Sequence, residues 1–216
     1  MSQRRLRRCD VAHPTATVAD VMALQGWLVR PVPRVAVERF IEANHYSGSI
    51  NGVNSTYCFA LLDPDNALKG AALFGEMATT SWRAYGERES DVLELRRLCC
   101  VDDTPKNAES FLIGGCIRWL RRNTEVKILV SYADPNYGHE GTIYRATNWR
   151  YEGLTPPDKG WRWNGHTYHS RAPRVRYRGA LKPFAQSLSK AIKDGRAEAI
   201  ELAGKHRFVM HLAVSR

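Results

Sequence analysis

A chain of 216 residues with 44% hydrophobic residues is long enough for one domain with an ordinary core, and too apolar to be disordered beyond its ends. The formal net charge of +10 points to a polyanionic partner, nucleic acid ahead of a membrane surface. No apolar run approaches the roughly 18 to 20 residues of a membrane span, and the basic start MSQRRLRRC lacks the apolar segment of a secretion signal, so a cytoplasmic protein is expected.

Residues 1–10 are arginine-rich with few apolar anchors, an arm suited to phosphates or otherwise simply solvated. A short helix is predicted over 18–24 and a first strand over 27–32, ended by Pro31 and Pro33. Val37, Phe40 and Ile41 have the spacing of one helix face, which predicts a helix over 34–44 stopped by His45, Tyr46, Ser47 and Gly48. The runs 57–62 and 68–74 predict a β-hairpin across Asp63, Pro64, Asp65 and Asn66, residues that favour reversal. Residues 78–91 read as a polar loop. A strand over 92–101 would set Leu93, Leu95 and Arg97 on one side and Glu94, Arg96 and Leu98 on the other.

Thr104 and Pro105 read as the cap and first position of a helix running to Arg122, with Ala108, Leu112, Gly115 and Trp119 on its inner stripe. Gly114 and Gly115 cost helix stability there, so either another group approaches closely or the packing is tight. The five cysteines, Cys9, Cys58, Cys99, Cys100 and Cys116, lack metal-knuckle spacing and read as reduced core fillers.

An apolar run at 126–130 leads into 131–153, read as strand, polar loop, short helix with Tyr144 and Arg145, then strand. In open α/β sheets such a strand end is where ligands sit. Further on, Asn164 and Gly165 mark a hairpin turn, 171–182 is basic, and 181–202 reads as largely helical with Leu181, Phe184, Leu188 and Ile192 in register. The rest is a tail. The expected organisation is a single α/β domain over 1–216, with a basic arm at 1–10 and a basic hairpin and helix region at 155–216.

This order of elements resembles the GNAT acyltransferase fold, a mixed central sheet flanked by helices. The resemblance implies an acyl-CoA between two splayed parallel strands, its pyrophosphate near the helix start at 102–110, where free amides favour anions. The glycine-rich pyrophosphate loop of that family is absent, and Asp102 and Asp103 stand at the same place.

A more specific resemblance is carried by an ordered set of residues: His45-Tyr46-Ser47-Gly48, Glu94-Leu95-Arg96-Arg97-Leu98, Ser110, Ala133-Asp134-Pro135, Gly138-His139 and Ile143-Tyr144-Arg145-Ala146. Together these are similar to the Mom DNA-modification proteins of Mu-like phages, over roughly residues 30–170. The resemblance implies an enzyme that converts adenine in double-stranded DNA to N6-carbamoylmethyladenine, protecting phage DNA from host restriction. It also implies the cytoplasm of an infected or prophage-carrying bacterium, an association with iron, and acetyl-CoA or another acyl or carbon donor.

Asp134 leaves a strand end into a proline turn, where its carboxylate would take the N6 hydrogens of a flipped adenine or serve as general base; an Asx turn or helix cap is the alternative. The DPNY tetrapeptide also invites comparison with the D-P-P-Y motif of adenine N6 methyltransferases, though no glycine-rich S-adenosylmethionine site accompanies it. Methyl transfer is thus an alternative, as are a GNAT N-acetyltransferase acting on a small amine or protein, and a non-catalytic DNA-binding protein.

By resemblance, His45, Tyr46 and Tyr144 are the expected iron ligands, with His139 in reserve; a capping histidine and core tyrosines are the alternative. Adjacent on a strand, Arg96 and Arg97 would face opposite sides, pairing with Asp134 or Glu94 or binding phosphate. Ser110 would hold an acyl carbonyl or cofactor phosphate, with Arg97 beside it, or act as an ordinary first-turn cap. The expected catalytic set is therefore Asp134, His45, Tyr46, Ser110, Arg96, Arg97 and Tyr144. Arg145, Arg150, Arg171, Arg174, Arg176 and Arg178, interleaved with Trp149, Tyr151, Trp161, Trp163, Tyr168 and Tyr177, form the expected DNA surface, or else a solvated basic hairpin over an aromatic core.

Overall fold

A computed structural model describes residues 22–177 and 179–212, together with Ala19. The arm at 1–10, Arg178 and part of the helix expected over 18–24 lie outside the described residues. In chain order come β1 (Leu28–Val32), α1 (Glu38–Asn44), β2 (Tyr57–Leu62), β3 (Leu68–Gly75), β4 (Val92–Cys100), α2 (Ala108–Asn123), β5 (Ile128–Ala133), α3 (Thr142–Ala146) and β6 (Arg150–Leu154). There follow β7 (Asp158–Trp163), β8 (His166–His169), β9 (Arg176–Tyr177), β10 (Ala180–Leu181), α4 (Pro183–Lys193), β11 (Glu198–Leu202) and β12 (His206–His211).

Seven strands form the main sheet in the order β1-β2-β3-β4-β5-β12-β6. Strands β1 to β4 are an antiparallel meander, β5 lies parallel to β4, and β12 runs antiparallel between β5 and β6. The parallel step is made possible by α2, which crosses one face of the sheet. A separate three-stranded sheet has the order β11-β7-β8. This is the mixed central sheet flanked by helices expected from the sequence.

Alternation along the strands divides the core between the two faces. Phe59 and Leu61 of β2 join Leu112, Ile113, Cys116 and Leu120 of α2, while Cys58 and Ala60 turn the other way to meet Val37 and Ile41 beside and within α1. Cys100 and Cys99 separate in the same manner, and Cys58, Cys99, Cys100 and Cys116 are all buried and outside any disulfide among the described residues. The hairpin turns form as expected. Asp63 accepts through Oδ1 from the Asp65 and Ala67 N–H groups, and Asn164 and Gly165 take φ 48° and 73° between the paired Trp163 and His166.

Four local expectations are corrected. Helix α2 starts at Ala108 rather than beside Thr104, because Asn107 adopts a left-handed φ of 69°. Its buried stripe is also wider than expected and includes Ile113, Cys116, Ile117 and Leu120. A Cβ at Gly115 would lie 2.6 Å from Cβ of Val29, so close approach of β1 explains that glycine. The expected helix over 181–202 is only α4, ended by Gly195 with φ +69°, after which Glu198–Leu202 pairs with β7 in spite of its helix-favouring composition.

The third correction concerns β4. Leu73 pairs with Arg97 and Phe74 with Leu95, so Arg96 is an extra residue in a β-bulge. The side of β4 facing α2 therefore runs Leu93, Leu95, Leu98 and Cys100, and both arginines lie off it rather than on opposite faces. The fourth is β12, expected as tail and found inserted in the sheet between β5 and β6, where Phe208 and Val209 are fully or almost fully buried. Among the described residues no helix is long and apolar enough to cross a membrane.

Candidate active site

Pairing of β4 with β5 ends at Leu95 and Ser131, where the Ser131 hydroxyl donates to the Leu95 carbonyl at 3.1 Å. Beyond this point β4 bulges at Arg96 and β5 runs on to Ala133, so the two strands part. Asp134 begins a turn at that opening. Its Oδ1 accepts from the Asn136 N–H at 3.0 Å and from Asn136 Nδ2 at 2.8 Å, and its carbonyl accepts from the Tyr137 and His139 N–H groups. Asn136 in turn exchanges hydrogen bonds with the backbone of Ala203, which ties the turn to the segment entering β12. That segment also delivers Lys205, whose Nζ lies 3.1 Å from Asp134 Oδ2.

On one side of Asp134 the C-terminal end of α1 brings in an aromatic group. Ring centroids are 4.3 Å apart for His45 and Tyr46, 5.0 Å for Tyr46 and Tyr137, and 4.8 Å for Tyr46 and His139. The His45 Nδ1 accepts from the Ser47 N–H at 3.1 Å. Burial, with the charges of Arg97 and His139 adding to it, pushes His45 down to about 3 and keeps the ring neutral. Tyr46 is pushed up to about 12, first by burial and then by Asp134, with Arg97 opposing. Tyr144 is buried between Trp149 and Phe208, and burial raises its phenol as well. Arg97 donates to the Arg96 and Ser49 carbonyls, while its buried Nε has no partner among the described residues.

On the other side a cavity of about 360 Å³ opens between the main sheet and the three-stranded sheet. Glu94, Arg96, Tyr132, Asp134, Asp158, His169, Arg171 and Lys205 are among its lining residues. Two ion pairs stand in it, Arg96 with Glu94 at 3.6 Å and Lys205 with Asp134, and His169 Nε2 lies 2.8 Å from Asp158. Burial raises the Glu94 carboxyl against the pull of Arg96, Lys205 and Arg97. Asp134 takes Lys205 as its cation, and Arg96 pairs with Glu94, the other partner expected for it.

The structure thus gathers His45, Tyr46, Arg96, Arg97, Asp134 and Tyr144 at one strand end. Ser110 is not among the residues lining the cavity; it sits half-buried in the first turn of α2. Glu94, Lys205, Asp158 and His169 were missed as site residues. A strand glutamate followed two and three residues later by arginines was the one available sequence signal; the other three depend on the placement of β7, β8 and β12.

Of the expected DNA surface, Arg145, Arg150, Arg171, Arg174 and Arg176 are exposed. The Arg145 guanidinium lies 4.8 Å over the ring of Tyr151, itself 41% exposed, whereas Arg150 pairs with Glu152. Trp149 is core, and Trp161, Trp163 and Tyr168 pack against Leu188 and Ala191 of α4.

His45, Tyr46 and Tyr144, the expected iron ligands, supply one neutral imidazole and two phenols, and the phenols would have to give up their protons to bind a metal. At 102–110 the carboxylates Asp102, Asp103 and Glu109 outnumber the single cation Lys106, a poor seat for a pyrophosphate.

A model of the Mom protein family matches residues 26–215. The methylcarbamoylase Mom of Escherichia phage Mu is 26% identical over 196 residues, covering 88% of this chain and 70% of that protein. Among solved structures, the spermidine/spermine N-acetyltransferase of Vibrio cholerae has a TM-score of 0.49 at 10% identity over 88% of this chain and 95% of its own. The ribosomal-protein-S5-alanine acetyltransferase of Vibrio fischeri has a TM-score of 0.49 at 7% identity, over 89% of this chain and 97% of its own.

Proposed function

The chain belongs to the Mom protein family, and from that premise we propose that it is a transferase that converts adenine in double-stranded DNA to N6-carbamoylmethyladenine. The relative from phage Mu carries the name methylcarbamoylase, which supports the group transferred. The single observation that carries the reading in this molecule is the cavity beside Asp134. At about 360 Å³ it is near the lower end of the range of ligand pockets, a size suited to one nucleobase, and its wall mixes carboxylates with cations.

A base reaches such a depth only by leaving the duplex stack, at a cost of a few kcal/mol that binding must offset. The exposed Arg171 lines the cavity and supplies a phosphate contact there, the exposed Arg145, Arg174 and Arg176 supply further ones, and Tyr137, 51% exposed beside Tyr46, offers a ring on the other side of Asp134. Asp134 holds the turn and Lys205 together at the centre of this arrangement.

The test is mass spectrometry of nucleosides from DNA of cells expressing the chain, with restriction digestion of the same DNA alongside. An adenine nucleoside heavier by one carbamoylmethyl group, together with resistance to digestion, is expected. A plain methyl group would make the chain a methyltransferase, and unchanged nucleosides would leave an N-acetyltransferase or a non-catalytic DNA-binding protein. Asp134→Ala should abolish the modification and leave duplex affinity nearly intact.

A further inference from the structure

We propose that the target base is read inside the cavity by Glu94 and Arg96, the carboxylate accepting from its exocyclic amine and the guanidinium donating to the adjoining ring nitrogen. This rests on the reading of the chain as an enzyme acting on adenine in DNA. Asp134 has little acceptor capacity left for that role. Of its roughly four lone-pair positions, two on Oδ1 are taken by Asn136 and one on Oδ2 faces Lys205.

Glu94 differs on each count. Its carboxylate makes no hydrogen bond among the described residues, and its ionic partner Arg96 stands at 3.6 Å, beyond hydrogen-bond reach. The residue is fixed by strand pairing on both sides, to Gly75 of β3 and Val130 of β5, so its position is set by the centre of the sheet rather than by a loop. A largely buried carboxylate with unspent acceptors is costly unless a donor arrives to satisfy it. Burial also raises its pKa, which an amine donor would counter by favouring the charged form.

Arg96 is the complementary half. Its Nε and Nη2 both donate to the Glu76 carbonyl, which orients the guanidinium, while Nη1 makes no hydrogen bond among the described residues. The bulge is what allows this: without the extra residue, Arg96 and Arg97 would point to opposite faces, and one would enter the core beside α2.

An acceptor beside a donor is the pattern complementary to the amine and ring nitrogen of a 6-aminopurine. Guanine and thymine would set a carbonyl oxygen against the Glu94 lone pairs. Cytosine shares the amine, so the nucleoside measurement should follow both amino bases.

The experiment expresses Glu94→Met and Glu94→Asp beside the natural chain, quantifies modified nucleosides in cellular DNA, and measures melting and duplex affinity of the purified proteins. Both variants should melt and bind duplex as the natural chain does, with modified adenine reduced about 10- to 100-fold, the consequence of one unpaired amine. Should Glu94→Met lose its fold, Glu94→Asp decides, since it keeps the charge beside Arg96 and withdraws only the reach. Undiminished modification in a folded variant overturns the proposal, and so does an equal loss of duplex affinity in both. If the natural chain modifies no adenine, the underlying reading fails first, and that outcome is distinct from either.

Discussion

Replacing His45 by Asn should flatten the acid side of the stability profile. The Asn side-chain oxygen takes the place of Nδ1 as acceptor for the Ser47 N–H, so the turn after α1 keeps its hydrogen bond while the titrating group is gone. In the fold His45 is lowered from 6.5 to about 3, chiefly by burial and then by Arg97 and His139. Below pH 6.5 the unfolded chain takes up a proton that the folded chain refuses, so stability is full above that pH and is lost as pH falls toward 3. The slope in that window is about 1.4 kcal/mol per pH unit, which makes the loss from pH 7.5 to 4.5 about 3 kcal/mol. A folded-state value one unit higher would scarcely change this figure, because pH 4.5 would still lie above it. Only 4% of the ring is exposed, so solvent screening takes little away. Urea unfolding followed by tryptophan fluorescence at the two pH values, in both proteins, isolates the effect, since carboxylate contributions cancel in the difference. Equal losses, to within about 1 kcal/mol, would mean that His45 protonates inside the fold and that its neutrality is not imposed by its surroundings.

Gly115→Ala should lower stability by about 1 to 3 kcal/mol although alanine is the better helix former, because the new methyl meets Val29; a raised melting temperature would refute the close approach of β1. Arg145→Gln and Arg171→Gln should each reduce the salt dependence of duplex binding by about one counterion. An unchanged slope for either variant removes that residue from the DNA face.

The cluster at the end of β5 was legible because its members sit where elements stop. His45 and Tyr46 follow the last turn of α1, Asp134 follows β5, and Tyr144 lies on a helix of five residues, so local stop signals placed them at one edge. The cavity was not legible, since its walls come from pairings that no local pattern specifies. Lys205 reaches Asp134 only because β12 enters between β5 and β6, and HRFVMH gives no sign of which strands it will join. His169 and Asp158 meet at the open end of the β7–β8 hairpin, where Gly160 pairs with His169. The bulge was hidden for a different reason: strict alternation was assumed through Glu94-Leu95-Arg96-Arg97-Leu98, and one added residue reverses every side assignment after it. The helical reading of 198–202 failed because Ala, Glu and Leu favour a helix in isolation, whereas pairing with β7 decides the outcome.

The late insertion of β12 also sets an order of events during synthesis. Until His206–His211 emerges, β5 is an edge strand, with Leu129 and Val130 lacking the Phe208 and Val209 that later cover them. About 70 residues separate the two strands, and at ~5–20 residues per second the nascent sheet waits between about 4 and 14 s for its missing neighbour. The same strand carries in the residue that neutralises Asp134. A partly made chain therefore holds an open sheet edge and an incomplete site together, and the two are closed by one pairing event. Sheet closure and readiness for chemistry are in this way a single step on the folding path, and the interval before it is when the chain is most exposed to self-association.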